Sequence, residues 1–283
     1  MPTLSEKGRA FRALHEGNRA FLIPNPWDIG SARLLARLGF EALATSSAGF
    51  AYSMGRPDYG VTRDEMMAHV GAISAAVDLP VSGDLENGFG DAPEMAAETI
   101  CLAAAAGLVG GSIEDWTQRA DAPVYEIAHA AERVRAAAEA AHALAFPFTL
   151  TARAENYLHG RADLDDTIRR LQTFQEAGAD VLYAPGLSRL EDIAAVVRSV
   201  DRPVNVLALA HFNLASLEKL GARRISVGSA LARAAYGALL RAAEEMRTRG
   251  TFTFAEEAVN TRDLGAMLQR DLLREGPNSA QLG

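Results

Sequence analysis

Carboxylates gathered at strand ends are the residues of this sequence best suited to chemistry. The stretch Pro80-Val-Ser-Gly-Asp-Leu-Glu-Asn-Gly-Phe-Gly-Asp91 runs from a strand-like segment into a glycine-rich turn, with Asp84 and Glu86 at the junction. A second stretch, Gly111-Ser-Ile-Glu-Asp115, ends in Glu114 and Asp115. Side chains alternate along a strand, so Asp84 and Glu86 are expected on one face, roughly 6–7 Å apart. Carboxylates at the ends of successive strands can converge in space while lying far apart in sequence. Two or three of them with room for water suit a hard cation, Mg²⁺ or alternatively Mn²⁺, which prefers oxygen ligands. The plainer reading is that acidic residues close strands because loops are wet.

The elements around these residues tip the balance. A helix over Ser5–Arg19 precedes a strand over 20–24, and Asp28 is placed to cap a helix that Gly39 stops. Further strands are expected at 42–45, 79–82, 111–114, 147–153, 180–184, 203–209 and 224–228. The helices between and after them are expected at 63–77, 93–106, 125–143, 164–176, 190–200, 214–220 and 230–247. Eight strand-then-helix units with short loops imply a parallel sheet clothed in helices, closed as a (β/α)₈ barrel over residues 1–250. A C-terminal extension over 251–283 is expected to hold a helix at 254–275 and a polar tail. Polar residues close strand after strand at its carboxyl end: Asn25, Ser46, Asp84, Glu86, Glu114, Arg153 and Glu155. In such a barrel that end is the active-site face. Acids of the third and fourth strands beside an arginine of the fifth are costly neighbours unless a cation and an anionic ligand complete the site.

Composition narrows the class further. The chain has 283 residues, 49% hydrophobic and 23% charged, enough for one large domain without a disulfide or metal staple. A formal charge of −8 argues against general nucleic-acid binding. No apolar run approaches the ~20 residues of a membrane helix, the N-terminus lacks the apolar core of a signal peptide, and the single cysteine weakly indicates a reducing compartment. A cytoplasmic protein with no membrane partner is the expectation.

With those residues placed, the sequence resembles the isocitrate lyase/phosphoenolpyruvate mutase superfamily, in its phosphoenolpyruvate mutase-like branch. The matching pieces are Asn25-Pro-Trp-Asp-Ile-Gly-Ser-Ala-Arg33, Thr45-Ser-Ser-Ala-Gly49, Gly55-Arg-Pro-Asp58, Val81-Ser-Gly-Asp-Leu-Glu-Asn-Gly-Phe-Gly90, Ile113-Glu-Asp115, Thr151-Ala-Arg153 and Ser226-Val-Gly-Ser229. The resemblance implies that Asp84, Glu86 and Glu114 hold Mg²⁺, some through water, with Asp58 beside them. It implies catalytic roles for Asp58, Arg153 and Glu114, with Arg153 binding a substrate carboxylate through its planar fork. Ser46, Ser47, Ala48 and Gly49 are implied to cradle the same or a second carboxylate. Asn205, on the seventh strand, is read either as a substrate hydrogen-bond partner or as a buried structural amide. Family members usually oligomerise, often by exchanging the helix after strand eight, which implies a homodimer or homotetramer swapped at Ala230–Arg247.

The departures are as informative. Lyase members carry a cysteine-containing loop after the fourth strand. The corresponding loop here, Trp116–Tyr125, has no Cys, His or Lys, and the lysine-bearing mutase loop is not evident either. Cys101 lies mid-helix among alanines and leucines and is expected to be an inert core thiol. His211, Tyr52 and Tyr183 are the remaining proton-transfer candidates, each weighed against a cap or packing role. Glu155 is read as steering Arg153, binding water or forming a structural ion pair, and His159 as loop surface. The function expected is a Mg²⁺-dependent enzyme that binds a 2-oxo (di)carboxylic acid and cleaves or forms a C–C bond through an enolate. Decarboxylation of an oxaloacetate-like substrate is its simplest version. The alternatives are a (methyl)isocitrate-type lyase with a non-standard general acid, or a 2-oxo-acid-binding protein without efficient catalysis. Arg153→Ala is expected to abolish carboxylate binding and leave the fold intact.

Overall fold

A computed structural model of the chain describes residues 2–269. It divides into two compact units at the Ala235–Tyr236 junction. In the first unit, helix α1 (Leu4–Glu16) begins at a capping box in which the Thr3 hydroxyl and the Glu6 carboxylate each accept the other's backbone N–H. Then come β1 (Phe21–Ile23), α2 (Ile29–Arg37), β2 (Leu43–Ala44), α3 (Ser47–Ser53), α4 (Arg63–Ala76), β3 (Val81–Asp84), α5 (Pro93–Ala105), β4 (Gly110–Glu114) and α6 (Ile127–His142). β5 (Thr149–Arg153), α7 (Leu164–Glu176), β6 (Val181–Tyr183), α8 (Leu190–Arg198), β7 (Val204–Leu207), α9 (Leu214–Lys219), β8 (Arg224–Ser226) and α10 (Ala230–Arg249) complete it, the last crossing into the second unit.

All eight strands run parallel in one sheet ordered β1-β8-β7-β6-β5-β4-β3-β2. The Ala44 N–H donates to the Pro24 carbonyl at 3.1 Å, bridging the seam between β1 and β2. The chain is therefore a (β/α)₈ barrel, and the expected Asp28 cap holds: its carboxylate accepts from Ser31 N–H at 2.6 Å. One apolar core lies between the strands and the helices. A second lies at the amino ends of the strands, where Phe11 of α1 packs with Phe21, Ile23 and Val109. A β-carbon at residue 110 would lie 2.7 Å from the Phe11 ring, which is why β4 opens on glycine.

That lower core buries His15, 5% exposed, between the rings of Phe11 and Phe21 at 4.7 and 5.0 Å. Its Nδ1 faces the Phe11 carbonyl at 2.8 Å, and burial, reinforced by Arg224, pushes its pKa down to about 3. Between that value and the ordinary 6.5, the unfolded chain binds the proton and the folded one does not. Stability from neutral His15 is thus complete above pH 6.5 and lost as pH falls, at about 1.4 kcal/mol per unit. The expected result is that wild type loses stability relative to His15→Leu between pH 6.5 and 4. Carboxylates titrate in both proteins, so the difference in melting temperature isolates the histidine, and a pH-independent difference would exclude it.

The second unit continues α10 through a one-turn 3₁₀ segment at Thr253–Glu256 to α11 (Thr261–Leu268). Glu245 ties the connection by accepting from the Thr251 hydroxyl and Thr253 N–H at 2.8 and 2.6 Å. The single helix expected over 254–275 is thus two pieces, and its end and the tail lie outside the described residues. Among the described residues no helix is long and apolar enough to cross a membrane.

Candidate active site

Strand register brings the charged residues together. Glu114 of β4 pairs with Arg153 of β5, Arg153 with Tyr183 of β6, and Tyr183 with Asn205 of β7. Register neighbours in a parallel sheet point to the same face. Arg153 is the hub. Its Nη1 bonds Asp84 Oδ1 at 2.7 Å, its Nη2 lies 3.0 Å from Glu114 Oε2, and its Nε donates to Glu155 Oε1 at 2.8 Å. These contacts use three of the five guanidinium N–H groups, so Nη1 and Nη2 each keep one for a ligand. Burial alone would lower the Arg153 pKa, but Glu155, Glu114 and Asp84 outweigh it and hold the cation charged. Glu155 is fully buried in that ion pair.

Asp84 is fixed from two further sides. Its Oδ2 accepts from Ser47 N–H at 3.0 Å and the Ser47 hydroxyl at 2.9 Å, and its own N–H donates to Thr45 Oγ1 at 2.9 Å. The segment 46–49 therefore serves the site partly through Asp84. Ser47 spends its donors there, while the Ser46 hydroxyl caps α3 by accepting from Gly49 N–H at 3.1 Å. Ala48 completes that turn, and Gly49 is required because a β-carbon would meet Trp27 at 2.8 Å.

The strand-alternation argument for Glu86 does not describe how it reaches the site. β3 ends at Asp84, Leu85 is buried in the core, and Glu86 adopts a left-handed backbone with φ 51°. Its carboxylate still lies close enough to Asp84 and Asp58 to feel both: burial, then Asp84 and Asp58, push its pKa up to about 8. Burial and Asp84 likewise raise Asp58 to about 6, and burial raises Glu114 well above the usual range. Glu86 Oε1 and Glu114 Oε1 are buried without a hydrogen-bond partner. Crowded carboxylates with orphaned oxygens fit a divalent cation. Among the described residues no three acidic, histidine or cysteine side chains are placed to ligate one ion together, so a cation here would touch fewer of them directly and fill its shell with waters or ligand oxygens.

An aromatic stack that the sequence did not announce lies beside these acids. Trp116 packs against Tyr59 at 4.0 Å and lies parallel to His159 at 4.2 Å. The Tyr59 hydroxyl faces Glu114 and opposes the rise of its pKa, and His159 Nε2 is 3.7 Å from Glu155 Oε2. His159 is therefore not loop surface but a partly buried ring at the site. Tyr59 has φ 61°, which nothing in Pro57-Asp-Tyr-Gly60 signals beyond a turn. A cavity of about 730 Å³ opens next to Glu86, lined also by Tyr59, Val61, Phe89, Met95 and Arg119.

Other expected residues take different places. Asn205 is buried, donates to Ser226 Oγ at 3.0 Å and keeps its carbonyl oxygen unpartnered. Tyr183 is buried, with burial pushing its pKa up, and its ring lies 5.4 Å from the Arg153 guanidinium. His211 is exposed with Nε2 3.0 Å from the Ser188 carbonyl, and Tyr52 is half-buried on α3. Cys101 is exposed rather than a core thiol, because its position on α5 faces outward. Asp115 follows Glu114 and by alternation points away, where Arg170 of α7 holds it at 3.0 Å.

The family model for phosphoenolpyruvate phosphomutase matches residues 11–247. A crystal structure of a lyase/mutase candidate from Burkholderia cenocepacia is 59% identical, with a TM-score of 0.92 over 95% of this chain and 97% of that one. The 2-methylisocitrate lyase of Escherichia coli is 26% identical over 275 residues, 92% of this chain and 91% of that protein. The oxaloacetate decarboxylase of Pseudomonas aeruginosa is 28% identical over 242 residues, 82% and 81% of the two chains. A match over residues 11–247, which span all eight strands, makes this chain a member of the phosphoenolpyruvate phosphomutase family, within the isocitrate lyase/PEP mutase superfamily of C–C lyase-type enzymes.

Proposed function

We propose that the protein is a Mg²⁺-dependent carbon–carbon lyase acting on a 2-oxo dicarboxylate, with decarboxylation of an oxaloacetate-like acid as its reaction. The observation that carries this reading is the pair of orphaned, buried oxygens on Glu86 and Glu114 beside the Asp84–Arg153 ion pair. Asp84, Glu86 and Glu114 would hold the cation, with Asp58 adjoining, and Mn²⁺ would substitute for it. When bound, the ion supplies Lewis acidity at the substrate carbonyl. Arg153 would bind a substrate carboxylate with its two remaining N–H groups, and Ser46–Gly49 and Asn205 would line the ligand. Glu114 and Asp58 would set the charge felt by the departing carboxylate. Loss of CO₂ leaves an enolate carbon that takes its proton from water or from His159 of the Tyr59–Trp116–His159 stack. That stack also favours the second reading, a lyase for a methylisocitrate-like 2-hydroxy acid, because His159 offers an acid that the loop lacks, whereas burial pushes the Tyr59 phenol pKa too far up for it to serve.

Thermal melting, CO₂ release and, for methylisocitrate, release of a 2-oxo acid test this with pyruvate, oxaloacetate, 2-oxoglutarate, phosphonopyruvate and methylisocitrate, with and without Mg²⁺. A ligand at 100 times its dissociation constant adds about 2.7 kcal/mol, so the expected result is a melting-temperature rise with oxaloacetate that requires the metal. Turnover should accompany it. Turnover of methylisocitrate alone would select the second reading, and no metal-dependent effect of any acid would overturn both.

Catalysis is assigned to the barrel, residues 1–250, in a cytoplasmic homo-oligomer. Of the second-unit part of α10, Leu239, Leu240 and Met246 are 60%, 69% and 42% exposed, an apolar face that a second copy would cover. Light scattering is expected to give a dimer or tetramer that Leu240→Glu shifts toward monomer. A monomeric wild type would rule the assembly out.

A further inference from the structure

One buried arginine outside the site directs both of its Nη groups onto a single loop. Arg133 of α6 is 1% exposed, and its guanidinium bonds to backbone rather than to a carboxylate. Nη1 donates to the carbonyls of Gly90 at 2.6 Å, Ala92 at 3.4 Å and Asp91, while Nη2 donates to the Asn87 carbonyl. The guanidinium carbon sits 4.5 Å over the Tyr125 ring. Burying a cation is costly unless its N–H groups are taken up; here four carbonyls of residues 87–92 accept from Nη1 and Nη2, Nε is left without a hydrogen-bond partner, and Asp91 and Asp115 supply negative charge nearby.

That loop leaves β3 directly after Asp84, and its conformation is strained. Glu86 and Phe89 are left-handed non-glycine residues at φ 51° and 61°, either side of Gly88 at 80°. Such residues cost of order 1–3 kcal/mol each and persist only where the surroundings impose them. Lesser struts assist: Thr99 Oγ1 donates to the Gly88 carbonyl at 2.9 Å, Asn87 Nδ2 to the Tyr125 hydroxyl at 3.3 Å, and that hydroxyl to Asp91 Oδ1 at 2.5 Å.

We propose that Arg133 is a positioning residue: by gathering the carbonyls of Asn87, Gly90, Asp91 and Ala92, it imposes the left-handed turn at Glu86 and so presents the Glu86 carboxylate to the cation site. The inference rests on the reading of Glu86 as a cation-shell residue. It is distinct from core filling, because the bonds it uses all end on one loop.

The test compares wild type, Arg133→Met, Arg133→Lys and Thr99→Val by hydrogen exchange and by titration with Mn²⁺ alone, followed by paramagnetic resonance. In R133M, amides of residues 86–92 are expected to exchange at least about tenfold faster, with β4, β5 and α7 unchanged. Its Mn²⁺ affinity should fall by about 10–100-fold, the range typical of lost outer-shell support. With oxaloacetate, kcat should fall more than KM rises. R133K, which can still donate to carbonyls, should recover part of each loss. If R133M does not fold, T99V loosens the same loop from its other side and should show the same pattern more weakly. Uniform acceleration of exchange, or a fast-exchanging loop with unchanged Mn²⁺ affinity, would overturn the proposal. A wild type that binds no Mn²⁺ would instead overturn the cation-site reading, while the exchange measurement would still decide whether Arg133 holds the loop.

Discussion

Arg153→Ala is expected to remove activity and to destabilise the folded protein by about 3–5 kcal/mol, the cost of leaving buried partners of an ion pair uncompensated. The sequence reading expects an intact fold from this substitution, and the geometry revises it. Asp84 Oδ1, Glu114 Oε2 and Glu155 Oε1 all take their charge-balancing bond from this one guanidinium. Glu114 and Glu155 are 2% and 0% exposed, so water cannot replace it. The melting temperature should drop by roughly 10 °C. The sign of the pH dependence follows from the same contacts. Without the cation, the buried carboxylates bind protons more tightly in the folded than in the unfolded chain, so lowering the pH neutralises them. The deficit relative to wild type should therefore shrink as pH falls from about 8 to 5. Arg153→Lys keeps the charge but not the three-way fork, and is expected to recover part of the stability and little activity. A variant that melts with wild type would show that the three acids do not depend on Arg153.

The barrel was legible because unit after unit repeats the same local logic of a short apolar run, a polar closing residue and a helix. Asp28, Asp84, Glu114 and Arg153 could each be placed from that logic, and the β4–β5 register then brings Glu114 and Arg153 together unaided. Glu86 was legible as a site residue but for an incomplete reason. Alternation ends where the strand ends, and the left-handed turn that returns its carboxylate depends on Arg133, 47 positions later and on another element. Tyr59 and His159 were hidden for a similar reason: their contact with Trp116 joins loops after β2, β4 and β5, and no periodicity within any loop encodes it. Cys101 misled because its alanine and leucine neighbours are apolar all round the helix, so composition could not say which side faces water. Asp115 illustrates the opposite case. Alternation separates it from Glu114 because the β4–β5 bonding runs on past the strand end, the Asp115 N–H donating to the Arg153 carbonyl at 3.2 Å, and the structure gives its carboxylate to Arg170 on the outer side.

Asp84→Asn is expected to abolish Mg²⁺-dependent ligand binding and to lower kcat/KM by at least about 10³-fold, the scale of losing a metal ligand together with one fixed anchor of the site. The substitution looks nearly isosteric, yet the hydrogen-bond pattern forbids it from being silent. Both carboxylate oxygens are acceptors: Oδ1 for Arg153 Nη1, Oδ2 for the Ser47 N–H and hydroxyl. An asparagine has one oxygen and one NH₂, so either orientation sets a donor against a donor, the guanidinium in one and the Ser47 amide in the other. The mismatch should cost about 1–3 kcal/mol of stability even in metal-free protein. That part of the effect separates the two roles of Asp84. Melting curves without metal report the loss of the Arg153–Asp84–Ser47 chain, whereas Mn²⁺ titration reports the loss of the cation ligand. Asp58→Asn serves as the comparison, because Asp58 accepts only from Tyr59 N–H at 3.0 Å and stands outside that chain. It is expected to weaken the cation site while raising metal-free melting near neutral pH, because burial and Asp84 make the Asp58 charge unfavourable in the folded chain. If Asp84→Asn instead binds Mn²⁺ as wild type does, the cation does not sit on Asp84, and the acids at the strand ends serve only to hold Arg153.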